Sequence, residues 1–285
     1  MTMLNRTAPM IIAGLLSSSA LIADDHASAM GYALAENGNT LLIMKDMKKP
    51  ADAMSFKLSE RLDALAYRPV SGELMGFSKD GSIHTVDVNS GALSDVNAKF
   101  AAEAATDAGA FAFDFNNTLD AARLVGSDGT NLVFFPSNFA DERANQVLRF
   151  TDAFYGEGDI NEGVEPLIYA NAYTNAINGK KAETTFQYAL DARTDSLVSL
   201  ANNAGTLATV GAVMIDGEAV DLVSAGGFDI VSPEEGMDMA YAVLQLGDAN
   251  TSGVYEINLE TAEATLVADL DTIGVVGFAA SLGGM

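Results

Sequence analysis

Short strand-like segments recur about every 50 residues along the chain, and this recurrence constrains the fold more than any other feature. Each unit begins with a brief apolar run that is typical of a buried strand. The runs centre on five anchors spaced 48, 60, 55 and 50 residues apart, namely Leu65, Phe113, Tyr173, Phe228 and Phe278. Several strands per unit at such a period are typical of a β-propeller. The sequence therefore predicts an all-β protein with five blades.

Further strands within the units also repeat. The stretch "GSIHTVDVNSG" (81–91) has a counterpart in "GVYEINLETA" (253–262), and "FQYALDARTDSL" (186–197) is interpreted as a third copy. Each copy alternates apolar and polar residues and then reaches a turn rich in Asp, Asn, Ser or Thr. The three segments are therefore predicted to occupy the same strand position in three blades.

The two ends of the mature chain complement each other. The N-terminal stretch "GYALAENGNTLLIM" (31–44) has the form of a second and a third strand, whereas the chain finishes on a first strand, "GVVGFAAS" (274–281). An open ring would leave unpaired sheet edges. We therefore expect the C-terminal strand to pair with the N-terminal blade and close the ring. A pair of β-sandwiches with accidental internal similarity is the alternative.

The first 29 residues have the layout of a secretory signal peptide. One basic residue, Arg6, precedes an apolar run over residues 8–23, and the sequence Ala27-Ser28-Ala29 follows. Cleavage is predicted after Ala29, with Ala23 as a second candidate and an uncleaved anchor as the alternative. The prediction is a signal peptide over 1–29 and a single propeller domain over 30–285. We expect the mature protein to be periplasmic or secreted, without insertion in the membrane.

The charge balance excludes several classes of partner. The chain has 39 acidic and only 15 basic residues, a net charge of −24, which repels nucleic acid phosphates. Such an acidic surface favours solubility and cation binding. The absence of Cys excludes disulfides, zinc–thiolate sites and cysteine nucleophiles.

Catalytic constellations are weak in this sequence. A Ser-His-Asp triad requires a histidine, and His84 is the one that remains beyond the export segment, which contains His26. In the repeat alignment, however, His84 takes the place of Tyr188 and Tyr255. A ring that packs in the core therefore explains His84 better than catalysis does. Among the 39 acidic residues no carboxylate pair stands out for acid–base chemistry.

Calcium is the candidate inorganic ligand, because it binds six to eight oxygens of the kind that Asp, Asn and backbone carbonyls supply. Three loops offer such oxygens: Asp114, Asn116 and Asp120; Asp248 and Asn250; and Glu157, Asp159 and Glu162. None matches a complete EF-hand loop. The alternative is that these side chains stabilise turns by bonding nearby backbone groups.

The densest polar set in an apolar context is predicted to bind a ligand at one end of the axial channel. Its members are Asp114, Asn116, Asp120, Arg123 and Asn131. For Asp120 and Arg123 the sequence favours a structural role over a ligand site, with the two side chains forming a buried ion pair.

Several of these stretches together resemble the bacterial domain-of-unknown-function family 4394. The matching segments are "GYALAENGNTLL" (31–42), "YRPVSGELMGFSKDGSIHTVDVNSGA" (67–92), "FAFDFNNTLDAARLV" (111–125), "GTNLVFFP" (129–136), "NAYTNA" (171–176) and "YEINLETAEATLV" (255–267). The resemblance implies a propeller-like fold and an export signal, but no activity or cofactor. The chain departs from the family pattern at Asn117, where the family has Pro, at Ala121-Ala122, and in the turn over 136–139.

Two functional hypotheses follow. The first is an exported, non-catalytic propeller that binds a protein, a glycan or a small molecule on one face. The second, by analogy of fold alone, is a hydrolase or lactonase-like enzyme with a divalent cation in the axial channel.

Overall fold

The computed structural model of the chain describes residues 29–247, 249, 251–272 and 274–283. The predicted signal peptide lies outside the described residues except for Ala29. Asp248 and Asn250 of one candidate calcium loop also lie outside them. None of the helices in the described part is long and apolar enough to cross a membrane.

The strands form five blades that follow one another along the chain. Blade 1 begins with β1 (Ala29–Ala35), β2 (Thr40–Met44) and β3 (Met54–Lys57). Blade 2 contains β4 (Ala64–Arg68), β5 (Glu73–Ser78), β6 (Ser82–Val86) and β7 (Leu93–Asp95). Blade 3 contains β8 (Lys99–Phe100), β9 (Phe111–Asn116), β10 (Ala121–Gly126), β11 (Asn131–Phe135) and β12 (Gln146–Arg149).

Blade 4 contains β13 (Phe154–Tyr155), β14 (Ile168–Tyr173), β15 (Gln187–Asp191), β16 (Ser196–Ala201) and β17 (Thr206–Ala212). A small hairpin of β18 (Met214–Ile215) and β19 (Glu218–Ala219) leads to blade 5. Blade 5 contains β20 (Leu222–Val231), β21 (Met239–Leu246), β22 (Ser252–Ile257) and β23 (Ala264–Asp269), and β24 (Gly277–Leu282) follows. Single 3-10 turns cover Glu36–Gly38, Pro50–Asp52, Ala102–Ala104 and Asn202–Ala204.

The ring is closed by β24, which returns to blade 1 and becomes its innermost strand. It pairs antiparallel with β1, so that Gly31 lies opposite Ala280 and Tyr32 opposite Ala279. The five innermost strands, β24, β4, β9, β14 and β20, pack side by side around the axis. The predicted five-bladed propeller and its closure by the C-terminal strand are therefore confirmed.

Apolar side chains on both faces of each blade fill the seams between blades. In the seam between blades 2 and 3, the Phe77 ring lies 4.8 Å from Phe111 and 6.5 Å from Phe113, both edge-on. Such pairs add about 0.5–1.5 kcal/mol to the free energy gained by burial. Between blades 5 and 1 the backbones approach so closely that a Cβ on Gly227 would lie 2.4 Å from the Phe278 nitrogen. Glycine is therefore required there.

The predicted internal repeat is correct for two of its three copies. Residues 81–91 and 253–262 contain β6 and β22, which are the third strands of blades 2 and 5. The third proposed copy was wrong, because 186–197 contains β15, the second strand of blade 4. The pattern misled because β15 also ends in a turn closed by an aspartate: Asp191 Oδ1 accepts a hydrogen bond from the Arg193 nitrogen at 2.7 Å. Tyr188 is consequently not an equivalent of His84.

Candidate functional site

Asp120 forms a buried ion pair with Arg68, which belongs to the innermost strand of blade 2. Arg68 donates from Nε to Asp120 Oδ1 at 2.7 Å and from Nη2 to Oδ2 at 2.6 Å. Both side chains are less than a tenth exposed. Arg68 also donates to Glu73 and Asn138, and its guanidinium lies 5.7 Å from the centre of the Phe115 ring. The pair therefore joins blades 2 and 3.

The predicted ion pair between Asp120 and Arg123 was therefore wrong. Asp120 has a left-handed backbone, with φ of 61°, at the end of the turn before β10, and its carboxylate reaches blade 2. Arg123 contacts blade 4 instead. The two side chains are only three positions apart in sequence but serve opposite neighbours.

Arg123 is a buried guanidinium whose hydrogen-bond partners are all neutral. It donates from Nε to Tyr173 Oη at 2.9 Å, from Nη1 to Asn131 Oδ1, and from Nη2 to Asn203 Oδ1 at 2.8 Å. Asn131 in turn donates to the backbone oxygens of Thr151, at 2.8 Å, and Asn202, at 3.0 Å. Arg123 and Asn131 together hold blade 3 against blade 4.

Asn116 closes the turn between β9 and β10. Its Oδ1 accepts hydrogen bonds from the Thr118 nitrogen at 3.2 Å, from Thr118 Oγ1 at 2.8 Å and from the Leu119 nitrogen at 3.0 Å. Asn side chains favour turns because they form such hydrogen bonds with nearby backbone groups. The oxygen that would have to face a ligand is occupied by its own turn.

The side-chain carboxyl of Asp114 accepts a hydrogen bond from the backbone of the next blade. The carboxyl of Asp229, two blades further on, does the same. Asp114 Oδ2 accepts from the Tyr173 nitrogen at 2.7 Å, and Asp229 Oδ2 accepts from the Ala280 nitrogen at 2.6 Å. Innermost strands have an unpaired edge toward the axis, and a buried edge N–H needs an acceptor. Each carboxyl supplies one to its neighbour.

Both of these carboxyls have a raised pKa, so they are harder to ionise than a carboxyl in water. Burial raises the pKa of Asp229 from 3.8 to about 7. Burial, assisted by the nearby charge of Asp229, also raises the pKa of Asp114 well above its usual range. The axis of the propeller therefore contains two buried acids whose pKa values both lie above the usual value.

The five predicted ligand-binding residues do not converge on one cavity. Asp120 contacts blade 2, Arg123 and Asn131 contact blade 4, Asn116 closes its own turn, and Asp114 bonds the backbone of Tyr173. Asp114 and Arg123 come closest to a common centre, since both contact Tyr173. A ligand at these residues stays a prediction, while their visible contacts hold blades and turns together.

The candidate calcium loop over 156–163 also uses its oxygens internally. Asp159 accepts from the Asn161 nitrogen at 2.9 Å and from the Thr209 nitrogen at 2.7 Å, and Glu162 accepts from the Gly158 nitrogen at 2.8 Å. Within the described residues, no group of three or more His, Asp or Glu side chains is arranged to hold a metal ion. Calcium binding stays a prediction, because Asp248 and Asn250 are not described.

His84 lies in the core of blade 2, on β6. Only 3% of its surface is exposed, and its Nε2 lies 3.2 Å from Glu60 Oε1. Its Nδ1 is buried without a partner. This environment matches the packing role that the sequence indicated.

One end of the axial channel is covered by the long connection between β14 and β15. We call this connection, residues 174–186, the plug. It contacts the other four blades through hydrogen bonds from the Gly179 nitrogen to Pro69 O (2.9 Å), from the Ala182 nitrogen to Asn117 O (3.0 Å), from the Ala176 nitrogen to Ser232 Oγ (3.0 Å) and from Asn178 Nδ2 to Leu282 O (3.2 Å). The plug thus closes the end at which the innermost strands finish.

The other end of the channel, where the innermost strands begin, carries a small cavity of about 50 Å³, which we call the mouth cavity. It is lined by Arg61, Asp63, Gly109, Ala110, Tyr169, Ser224, Ala225, Gly226 and Val276. A second cavity of about 10 Å³ continues along the axis and is lined in part by Asn171; Tyr169 and Gly226 line both. One water needs about 10–15 Å³ by this kind of measure, so the axis itself has room for about one water.

Buried polar atoms without partners occur beside these cavities. Tyr169, which is 2% exposed, has an unpartnered Oη, and Asn171, which is 1% exposed, has neither amide atom bonded. Buried polar groups are normally satisfied, so these atoms are exceptions in the core. The mouth cavity is the best candidate functional site among the described residues.

Sequence reasoning missed Arg68, Asp229, Tyr169 and Asn171. Asp229 could have been found, because "GFDI" repeats the Phe-Asp pair of "FDFN" in an equivalent strand. Arg68 lies in the quoted "YRP" segment, but its partner is 52 residues away. Tyr169 and Asn171 gave no signal, because a Tyr or Asn inside an apolar strand is ordinary.

Comparison with known proteins gives a family and no activity. The model of the family described as domain of unknown function (DUF4394) matches residues 42–279. No curated protein matches the chain.

Two solved structures are similar at a low level. One is the crystal structure of a protein of unknown function from Bacteroides thetaiotaomicron VPI-5482, with 13% identity, a TM-score of 0.48, and coverage of 88% of this chain and 61% of the other. The other is PorZ, a surface component of the type-IX secretion system of Porphyromonas gingivalis, with 13% identity, a TM-score of 0.35, and coverage of 85% and 29%. The chain thus spans less than two thirds of either protein.

Proposed function

The chain belongs to the DUF4394 family of domains of unknown function, and from its own geometry we propose that it is an exported, non-catalytic propeller that binds a ligand. The ligand is a protein, a glycan or a small molecule, and it binds at the mouth of the axial channel. The proposal applies to the end of the ring where the innermost strands begin.

The observation that carries the proposal is the asymmetry of the channel. The plug covers one end with hydrogen bonds to all four other blades. The opposite end has the mouth cavity, whose lining includes the polar residues Arg61, Asp63 and Ser224. Ligand sites are concave and contain a few polar groups. A ring built this way offers one end for recognition.

A binding role is favoured over catalysis by the state of the reactive groups. His84 is buried and contacts Glu60. The axial carboxyls of Asp114 and Asp229 bond backbone N–H groups, and neither lines the mouth cavity. The cavity of about 10 Å³ along the axis leaves no room for a substrate to reach them.

The alternative is a cation-dependent hydrolase, and one observation favours it. Asp114 and Asp229 form a buried pair of acids with raised pKa values, and such pairs also occur in active sites. A divalent cation at the axis would stabilise both in the ionised form. The protein would then depend on the metal for stability.

Affinity capture tests the proposal. The exported protein is immobilised and exposed to an extract of its own compartment, alongside Ser224→Trp, which fills the mouth, and Ser55→Trp, a matched change on the outer strand β3. We expect a reproducible ligand with wild type and Ser55→Trp but not with Ser224→Trp. Equal capture by all three, or none by wild type, overturns the proposal.

Thermal unfolding with EDTA and with added calcium tests the alternative. A ligand at about 100 times its Kd adds roughly 2.7 kcal/mol to stability. The binding proposal predicts no change in the midpoint of unfolding. A midpoint that EDTA lowers and calcium restores favours the hydrolase instead.

A further inference from the structure

We propose that the edge of the plug carries a binding site for a methylated ammonium group, such as the head of choline. The site is formed by the aromatic rings of Phe186 and Tyr188 together with Met237 and carboxylates of blade 5. It lies outside the axial channel, at the opposite end of the ring from the mouth cavity. It is therefore independent of the ligand proposed for the mouth.

An open aromatic pair lies where the plug joins β15. The ring centres of Phe186 and Tyr188 are 5.0 Å apart, with 59° between the planes. Phe186 is 51% exposed, and Tyr188 is partly exposed. The Phe186 backbone is fixed by Thr174, since its nitrogen donates to Thr174 Oγ1 at 2.8 Å and its oxygen accepts from the Thr174 nitrogen at 3.0 Å. An aromatic surface is therefore held in place and open to solvent.

The turn between β20 and β21 lies beside this pair. Asn175 of the plug donates from its nitrogen to Asp238 Oδ1 at 2.8 Å, and its Oδ1 accepts from the Gly236 nitrogen at 2.7 Å. Met237, between these two turn residues in sequence, is 52% exposed. Its thioether and the two rings are polarizable, apolar groups. Such groups suit the methyl surface of a ligand.

The charges that act on the pair are negative. Burial raises the pKa of Tyr188, and the charges of Asp238 and Glu260 raise it further. Carboxylates that disfavour the phenolate favour a cation at the same ring. Glu260 is exposed, and within the described residues no Lys, Arg or His side chain forms an ion pair with it. One carboxylate of the site is therefore open to a ligand.

The nearby lysine of the plug acts on a different carboxylate. Hydrogen bonds from the Thr184 backbone lower the pKa of Glu235, and the charge of Lys180 lowers it further. The charges that act on Tyr188, by contrast, come from Asp238 and Glu260 alone. The aromatic pair thus keeps its negative surroundings.

Aromatic faces and negative charge together select a cation with an apolar surface. A cation over a ring face is attracted by the ring quadrupole, and quaternary ammonium groups are commonly recognised in this way. A primary ammonium is strongly hydrated, so it loses more on leaving water. An anion is repelled by the net charge of −24. A methylated ammonium meets both requirements, since its charge is spread over methyl groups that pack on the rings.

The test is an NMR titration of the ¹⁵N-labelled exported protein with choline chloride, compared with sodium chloride at equal concentration. We expect saturable shifts of the Phe186, Tyr188, Gly236 and Met237 amides. The choline methyl protons should shift upfield, because they lie in the ring currents of the pair. Dimethylbutanol with the branched carbon in place of nitrogen has the shape of choline without its charge, and ethanolamine has the charge without the methyl groups. We expect each to bind at least about tenfold more weakly.

Phe186→Leu removes the more exposed ring and keeps an apolar side chain. We expect it to weaken choline binding about fivefold, which is the scale of a cation–π contact at an exposed site. Phe154→Leu is the matched control, because Phe154 is 46% exposed on β13, away from the plug. It should bind choline as wild type does. Both positions are exposed, so neither variant is expected to unfold the protein.

Glu260→Gln tests the charge, and we expect it to weaken choline binding about threefold, the effect of one nearby exposed charge. Glu165→Gln, at an exposed position of another loop, removes the same charge from the chain and should leave binding unchanged. Equal effects of the two would assign binding to the net charge alone and overturn the site.

The other outcomes that overturn the inference are equally distinct. They are shifts that sodium chloride reproduces, equal binding of the uncharged alcohol or of ethanolamine, and equal affinity in Phe186→Leu and Phe154→Leu. Saturable shifts at the mouth cavity with none at Phe186 would also overturn it. None of these results bears on capture of a ligand at the mouth, which Ser224→Trp tests separately.

Discussion

Arg68 and Asp120 lie 52 residues apart in sequence and in different blades, yet two hydrogen bonds of 2.7 and 2.6 Å join their side chains. The pair is buried between blades 2 and 3. A buried pair of this kind need not stabilise the fold overall, because desolvating both charges offsets much of their attraction. Removing one partner is costly, since it leaves the other charge buried and uncompensated.

Asp120→Asn is therefore expected to lower the free energy of unfolding by about 3 kcal/mol, near the lower end of the range for broken buried pairs. The lower end applies because Glu73 still contacts Arg68 at 3.1 Å. Urea unfolding followed by circular dichroism measures the change. Asp141→Asn is the matched control, since its partner Arg143 is exposed, and it should leave the midpoint where it is. If Asp120→Asn lowered the free energy of unfolding no more than Asp141→Asn, water would be compensating the charge of Arg68 after the pair is broken.

The buried acids at the axis predict an unusual dependence of stability on pH. Their folded pKa values lie above the unfolded value of 3.8, with Asp229 at about 7. The folded state therefore holds more protons than the unfolded state between these values. The contribution of these groups is fully present below the unfolded pKa and is lost as pH rises through the folded pKa. For Asp229 the loss is at most about 1.4 kcal/mol per pH unit and ends near pH 7.

Asp229→Asn tests this dependence through urea unfolding at several pH values from 5 to 8, above the isoelectric point near 4.1. The amide has one oxygen for the two N–H groups that Asp229 serves, so we expect the variant to be less stable at pH 5. The difference from wild type should shrink or reverse by pH 7, because the variant has no carboxyl to ionise. A constant difference across the range would contradict the raised pKa.

Asp128→Asn is the control for that experiment. Burial raises the pKa of Asp128, but hydrogen bonds from Thr130 and Thr106 outweigh burial and hold the pKa below its usual value. Asp128 is therefore ionised throughout the range from pH 5 to 8. Its replacement should shift the stability equally at every pH and leave the slope of wild type unchanged.

Two buried asparagines predict opposite results for one substitution. Asn131 bonds Arg123 and the backbone oxygens of Thr151 and Asn202, whereas both amide atoms of Asn171 have no partner. Asn131→Leu should cost about 3 kcal/mol, because it strands polar partners in the core. Asn171→Leu should leave the free energy of unfolding unchanged or raise it by about 1 kcal/mol. The reason is that it replaces an unsatisfied amide with an apolar side chain of similar volume. If Asn171→Leu costs as much, a tightly bound water or ligand occupies the axis; thermal unfolding of both variants decides.

The ring and its closure could be predicted from sequence because they depend on local patterns. Apolar strands such as "FAFDFN" and "GVVGFAAS" recur at a regular period, and closure follows from the need to pair sheet edges. The misplacement of β15 shows the limit of such patterns. Alternation followed by a turn is shared by second and third strands, so it gives the element type but not its place in the blade.

The candidate site was harder to predict, because its contacts join distant segments. Asp120 was assigned to Arg123, three residues away, although its partner is Arg68 in another blade. Asp114 and Asp229 were not linked, because their coupling arises only when the ring brings β9 and β20 to a common axis. The mouth cavity combines segments from five parts of the chain, and no one of them carries a motif.

The plug provides the last prediction, through its contacts with Ser232. This side chain is fully buried, accepts from the Ala176 nitrogen at 3.0 Å and donates to Asp238 Oδ1 at 2.6 Å. Ser232→Ala leaves the Ala176 nitrogen without its side-chain acceptor and removes one of the two hydrogen bonds that Asp238 Oδ1 accepts, the other coming from the Asn175 nitrogen at 2.8 Å. The plug should therefore open more often while the ring persists. Limited digestion with trypsin, analysed by mass spectrometry, reports the opening as faster cleavage after the exposed Lys180 and Lys181.

We expect cleavage in the plug to accelerate several-fold in Ser232→Ala, while cleavage after Lys48, in the turn between β2 and β3, keeps its wild-type rate. The control variant is Ser90→Ala, which removes a hydroxyl bonded to Asp87 at 2.8 Å in an exposed turn of blade 2. It should leave the plug as resistant as in wild type. Acceleration at Lys48 and in the plug alike would mean that Ser232→Ala loosens the whole ring, and the plug would then not be a separately opening segment.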